Sequence, residues 1–197
     1  MTRAALLALS LLLPAPAQTR AYEVVAAESK FTVFVGRAGL FGGLGHDHTI
    51  TVRNFSGRVT VPPGGAQQAA LEMEIEAGSL LVADPGVDEK ERAEIQKAME
   101  TEVLEVARFP KIRFKSVSVA DVKPAGFVLN GDLTLHGVAR RVAVPVAARV
   151  TPEEVRAGGE VTIRQTDFGI KPYSAGLGTV KVKNELKLTF AIVARAR

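Results

Sequence analysis

Few side chains in this sequence can do chemistry together, and the densest group of them is His46-Asp47-His48. On an extended segment His46 and His48 project to the same side. That spacing can supply two ligands to a metal ion when a third arrives from elsewhere. His136 completes the histidines, but it falls on the polar phase of a hairpin turn, with nothing in the sequence to carry it to the first two. The plainer reading is a pair of loop histidines hydrogen-bonded locally. The sharper alternative is a metal-binding protein or metal-dependent enzyme using the His46-Asp47-His48 loop.

Other reactive arrangements are weaker. Cysteine is absent, which removes disulfides, thiolate metal sites and a cysteine nucleophile. Gly42-Gly43-Leu44-Gly45 lacks the G-x-G-x-x-G order and precedes strand-like residues rather than a helix, so it is a poor phosphate cradle. No serine lies in a G-x-S-x-G context. Glu72, Glu74 and Glu76 share one face of a strand, as a solvated face does. No catalytic residue and no cofactor is expected, and the chain reads as a non-enzyme. The 25 Lys and Arg are interleaved with 21 Asp and Glu. No basic patch with interleaved aromatics stands out, which argues against nucleic acid as a partner.

The N-terminus carries Arg3, an apolar stretch from Ala4 to Leu13 and the A-x-A pattern Ala15-Pro16-Ala17. This is the layout of a secretory signal peptide over residues 1–17, cleaved after Ala17. The expected location is periplasmic or secreted. The apolar stretch is well short of the roughly 20 residues that span a bilayer, so no transmembrane segment is expected.

The elements that must position these side chains are mostly strands. Leu129, Leu133 and Leu135 alternate with Asn130, Asp132 and Thr134; Val142, Val144 and Val146 resume the alternation beyond Gly137. This is a β-hairpin with one apolar and one polar face. Pro145 marks its second strand as an edge, or bulged, at that point. Strand signals also cover Tyr22 to Val25, Phe31 to Val35, Thr49 to Val52, Ser56 to Val61 and Leu71 to Ala77. Ile112 and Phe114 begin another strand, whose apolar phase shifts to Val117 and Val119 as a β-bulge would require. Val161 and Ile163, then Val180 and Val182, mark short strands, and Leu186 to Ile192 the last and longest.

One segment breaks the period. Asp88-Glu89-Lys90-Glu91 has the form of a capping box, and Ile95, Met99, Val103 and Val106 follow at near-helical spacing. An amphipathic helix is predicted from about Asp88 to Val103, ending before Phe109-Pro110. The fold class is therefore all-β, an antiparallel β-barrel of about eight to ten strands with one main amphipathic helix packed outside. Barrel closure removes the exposed edges that so many half-buried strands would otherwise leave.

Four short motifs occur in one order: Phe55-Ser56-Gly57, Phe109-Pro110-Lys111-Ile112-Arg113-Phe114-Lys115-Ser116, Gly131-Asp132-Leu133-Thr134-Leu135-His136-Gly137-Val138 and Asp167-Phe168-Gly169-Ile170. In this the chain resembles the YceI-like family over nearly the whole of residues 18–197, which are expected to form one domain. The resemblance implies a lipocalin-like barrel and an exported protein that binds polyisoprenoid or related long lipid chains. Two departures bear on the ligand: Val103-Leu104 and Val106-Ala107 stand where many members have His, Ser and paired aromatic residues, and the glycine-rich loop ends in His46-Asp47-His48.

Burying one five-carbon isoprenoid unit gains about 3 kcal/mol, whereas association costs roughly 4–15 kcal/mol. Only a chain of several units, or a comparable fatty-acyl chain, would be held by apolar walls alone. The candidate wall is the inward phase of each strand. Leu71, Met73 and Ile75 come from one, Ile112 and Phe114 from the next. Leu133, Leu135, Val142 and Val144 come from the hairpin, and Leu186, Leu188 and Phe190 from the last strand. Leu40, Phe41 and Leu44 in the glycine-rich loop are candidates for the pocket mouth. The same residues would equally suit a filled core.

Overall fold

A computed structural model describes residues 18–38, 46–176 and 179–197. The signal-peptide reading and the mouth candidates Leu40, Phe41 and Leu44 lie outside the described residues. Among the described residues twelve strands form one antiparallel sheet. In chain order they are β1 (Arg20–Val24), β2 (Lys30–Ala38), β3 (His48–Val52), β4 (Phe55–Val61), β5 (Ala70–Glu76) and β6 (Leu80–Val82). Then come the helix α1 (Glu89–Ala98), β7 (Lys111–Lys123), β8 (Gly126–Leu135), β9 (Val138–Val150), β10 (Glu154–Arg164), β11 (Ser174–Ala175) and β12 (Val180–Ala196).

Eight of these strands close a barrel in the order β1-β4-β5-β7-β8-β9-β10-β12, with β12 returning to β1 through Tyr22↔Ala196 and Val24↔Ala194. β12 is long enough to serve twice. Its last residues pair β1, while Lys181 to Ala191 pair β2, which continues the line of β1 after a 3-10 turn at Ala26–Glu28. In the same way β3 continues the line of β4, and β6 that of β5.

The two ends of the barrel therefore differ. Around Tyr22, Val155 and Ala194 every neighbour is laddered, and Tyr22 is fully buried with its hydroxyl donating to the Thr151 carbonyl at 2.8 Å. At the other end the wall is split twice. β6 follows β3 away from β7, and the β9–β10 ladder runs only from Val155↔Val150 to Gly159↔Val146. The second split begins at Pro145, which has no N–H to give to a ladder. β9 thus has a free edge over its first half, as its proline implied. Phe168 and Ile170, following β10, fill that gap against Leu135 and Ile163.

The first split is covered by the helix. Asp88 caps it, its Oδ1 accepting from the Glu91 N–H at 2.8 Å, and α1 then relaxes into a π-helical turn at Met99–Val103. The Gln96 side chain takes the place of a neighbouring strand: Oε1 accepts from the Val82 N–H at 2.9 Å, and Nε2 donates to the Leu80 carbonyl at 2.8 Å. The edge of β6 is satisfied by one side-chain amide, which blunts a sheet edge that would otherwise pair with other chains.

The bulge in β7 falls between Ser116 and Ser118. Its effect differs from the expected phase shift at one residue, since Val117 points outward and is 54% exposed while Val119 joins the core. Ser116 turns its Oγ to accept the Leu71 N–H at 2.8 Å. The expected separate strands at Val180 and Leu186 are one strand with a register shift between them.

Candidate functional site

Inside the barrel lies a cavity of about 510 Å³, a volume within the range of small-molecule sites. Its wall is built from the inward phase of the strands. Leu71, Met73 and Ile75 of β5 line it, with Ile112 and Phe114 of β7 and Leu133 and Leu135 of β8. Val142 and Val144 of β9 and Leu186, Leu188 and Phe190 of β12 also line it. The structure thus brings all twelve wall candidates around one space. Val35, Ile50, Leu80 and Val82 line it too. They obey the same period-two rule, though β3 and β6, at five and three residues, are too short to display it in the sequence. The helix contributes Ile95 and Ala98, and the π-helical turn Met99, so this segment is part of the wall as well as a cover.

Space is kept open by glycines at inward positions. Gly131 takes the inward phase between Leu129 and Leu133, and a Cβ there would stand 2.3 Å from Phe114 Cζ. At Gly159 a Cβ would stand 2.7 Å from Phe190 Cζ. Each phenylalanine therefore folds back over a neighbour that has no side chain instead of projecting across the lumen. Phe31 stacks on Phe190 with ring centroids 5.9 Å apart and thickens the same wall.

Polar side chains gather at the split end. His48 begins β3 and lines the cavity. Its Nδ1 lies 2.6 Å from Asp84 Oδ2, and Asp84 Oδ1 accepts the Thr49 N–H at 2.6 Å. Asp84 is 3% exposed and the His48 side chain 16%. A carboxylate has only lone pairs to offer, so it sets Nδ1 as the protonated nitrogen and leaves Nε2 to face away from it. His46 meets Glu91 at 3.4 Å in a more exposed pair, and Glu94, Tyr173 and Lys181 also border the cavity. Glu91 and Glu94 carry no sequence signal beyond a charged helix stripe. Asp84 carries none at all, because its partner is 36 residues away.

His46 and His48 share a side, as their spacing required, but each is engaged with a different carboxylate. Among the described residues no three His, Asp or Glu side chains are grouped to hold a metal ion. His136 lies elsewhere, at the β8–β9 turn with φ of 51°. Its Nε2 is 2.7 Å from Glu105 Oε2, and its ring packs on Phe109 with centroids 4.2 Å apart. Hydrogen bonds from Arg108 first and His136 second hold the Glu105 carboxyl below the usual glutamate range. This contact ties the end of the π-helical turn to the hairpin. Among the described residues no helix is long and apolar enough to cross a membrane.

Comparison with known proteins agrees with this architecture. A UPF0312 protein of Shewanella sp. strain W3-18-1 is 30% identical over 176 residues, covering 85% of each chain. Burkholderia cenocepacia BcnA has a similar structure, with a TM-score of 0.67 at 22% identity over 86% of this chain and 98% of that one. A polyisoprenoid-binding domain from Saccharophagus degradans, implicated in plant cell wall breakdown, superposes with a TM-score of 0.62 at 13% identity, covering 90% and 99%. The model of the YceI-like domain matches residues 22–194, and the chain belongs to that family.

Proposed function

We propose that this is an exported protein that holds a long isoprenoid-like or fatty-acyl chain inside its barrel as a carrier or store, without catalysing a reaction on it. The observation that carries this reading is the apolar cavity of about 510 Å³, walled by inward side chains of strands around the barrel. Such a wall offers burial without directional bonds, which suits a hydrocarbon chain and gives little grip on a small polar molecule. Likeness to a polyisoprenoid-binding domain supports the same class of ligand. Export rests on the A-x-A pattern at Ala15-Pro16-Ala17.

The test is direct. Protein purified without detergent, extracted with organic solvent and analysed by mass spectrometry should release a long-chain lipid in near-stoichiometric amount. Delipidated protein should take the lipid up again. An empty extract together with no uptake of isoprenoid or fatty-acyl chains would sink the proposal. N-terminal sequencing of the protein from a periplasmic fraction should begin at Gln18.

A further inference from the structure

We infer that the split end of the cavity recognises an uncharged, hydrogen-bond-donating head group, a hydroxyl on the isoprenoid chain, and disfavours a phosphate or diphosphate. The inference rests on the chain-binding reading above and adds which end of the lipid the protein reads, and how.

His48 supplies the contact. Its Nδ1 is fixed on Asp84, which is itself held by the Thr49 N–H. With one ring nitrogen committed to a buried carboxylate, the other is an oriented acceptor. Nε2 has no protein partner among the described residues, and the side chain borders the cavity where the apolar wall ends. A hydroxyl can donate to it.

The charges around that nitrogen argue against an anion. Glu91 and Glu94 border the cavity and Asp84 stands directly behind the imidazole, whereas among the described residues Lys181 is the one lysine or arginine that borders it, and His46 there is engaged with Glu91 at 3.4 Å. Arg92 lies behind Asp84, but its guanidinium donates to the Asp84 and Val87 carbonyls and does not border the space. A diphosphate in a half-enclosed mouth with these carboxylates meets like charge, which costs more there than in open water. An alcohol meets no such opposition.

The experiment uses the mature protein and three ligands with the same isoprenoid skeleton: geranylgeraniol, geranylgeranyl diphosphate and phytane, the alkane. Each displaces the apolar fluorophore N-phenyl-1-naphthylamine. The alcohol should bind about three- to tenfold tighter than the alkane, the increment of one net hydrogen bond, and tighter than the diphosphate. His48→Phe keeps a ring in place and should remove the alcohol's advantage over the alkane. Asp84→Asn, which loosens the orientation of His48, should show a smaller loss in the same direction. Thermal melts of both variants identify any loss that reflects misfolding.

A diphosphate that binds as tightly as the alcohol, or a folded His48→Phe variant that keeps the alcohol's preference, overturns this inference while the chain-binding reading stands. If none of the three displaces the probe, the chain-binding reading fails and the inference with it.

Discussion

The two ends of the barrel solve opposite problems. At the laddered end β1, β4, β10 and β12 meet around Tyr22, Val155 and Ala194, with Val24, Val59 and Val61 packed against them. At the split end the sheet opens between β6 and β7 and again between β9 and β10. The gaps are closed by a helix, a π-helical turn and two side chains, Phe168 and Ile170. Ladder hydrogen bonds are cooperative and hard to open singly, whereas a packed helix can shift on side-chain contacts alone. The laddered end therefore anchors the fold, and the split end is where the polar groups collect.

Tyr22→Ala should produce the largest effect. It removes a fully buried ring and the hydrogen bond to Thr151, and we expect a loss of about 3–5 kcal/mol in denaturant unfolding, with the ranking of ligands unchanged. A loss under about 1 kcal/mol, ordinary for a surface change, would mean that the laddered end is not the anchor. Gln96→Leu is the matching change at the split end. It leaves the Val82 N–H and the Leu80 carbonyl without their partners, at a cost of about 2–3 kcal/mol. Hydrogen exchange should speed up at β6 and α1 while the β10–β12 ladder stays protected. Equal acceleration at both ends would erase the distinction between them.

What the sequence discloses follows the same division. The β8–β9 hairpin is legible because its period is strict and its turn residues, His136 and Gly137, both take the positive φ that a tight hairpin needs. The helix start is legible because Asp88 and Glu91 interact over three residues of chain. The split end is not. β6 is three residues long, too short to show a period, and Gly158-Gly159 hides half of β10. The pairing of His48 with Asp84 and the bracket of Gln96 on β6 join residues far apart in the chain, and no local pattern announces either. Val117 misleads for a physical reason, since a bulge turns one apolar residue outward to return the next to the core.

Gly131→Ala tests the space between the two ends. The new methyl would press on Phe114 and on the Lys115 carbonyl, so the ring must swing into the lumen. We expect a stability loss of about 1–2 kcal/mol from overpacking, with weaker binding of long chains than of short ones. Phe114→Leu in the same chain should restore part of both. If long-chain binding were untouched, the cavity beside Phe114 would not be occupied by ligand.

The smallest effect concerns the outer face of β5 and β7, where Glu74 accepts from Lys111 at 2.9 Å and from Arg113 at 2.8 Å, and Glu76 accepts from Lys111 as well. The Lys111 hydrogen bond first, then that of Arg113, lowers the Glu74 carboxyl from its ordinary 4.5; Glu74 first, then Glu76, raises Lys111 from 10.5. A depressed carboxyl stabilises the fold above its unfolded value and loses that contribution as pH falls through its folded one. A raised lysine stabilises below 10.5 and loses its contribution as pH rises through a higher value. Between these limits the ladder's contribution is constant. These side chains are well exposed, so the total is small and screened by salt. Glu74→Gln should lower the melting temperature slightly at neutral pH, and the gap from wild type should close as pH falls through the carboxylate range. A gap that persists in acid would place the effect in packing rather than charge, and would show that both ends of the barrel are held together without help from this ladder.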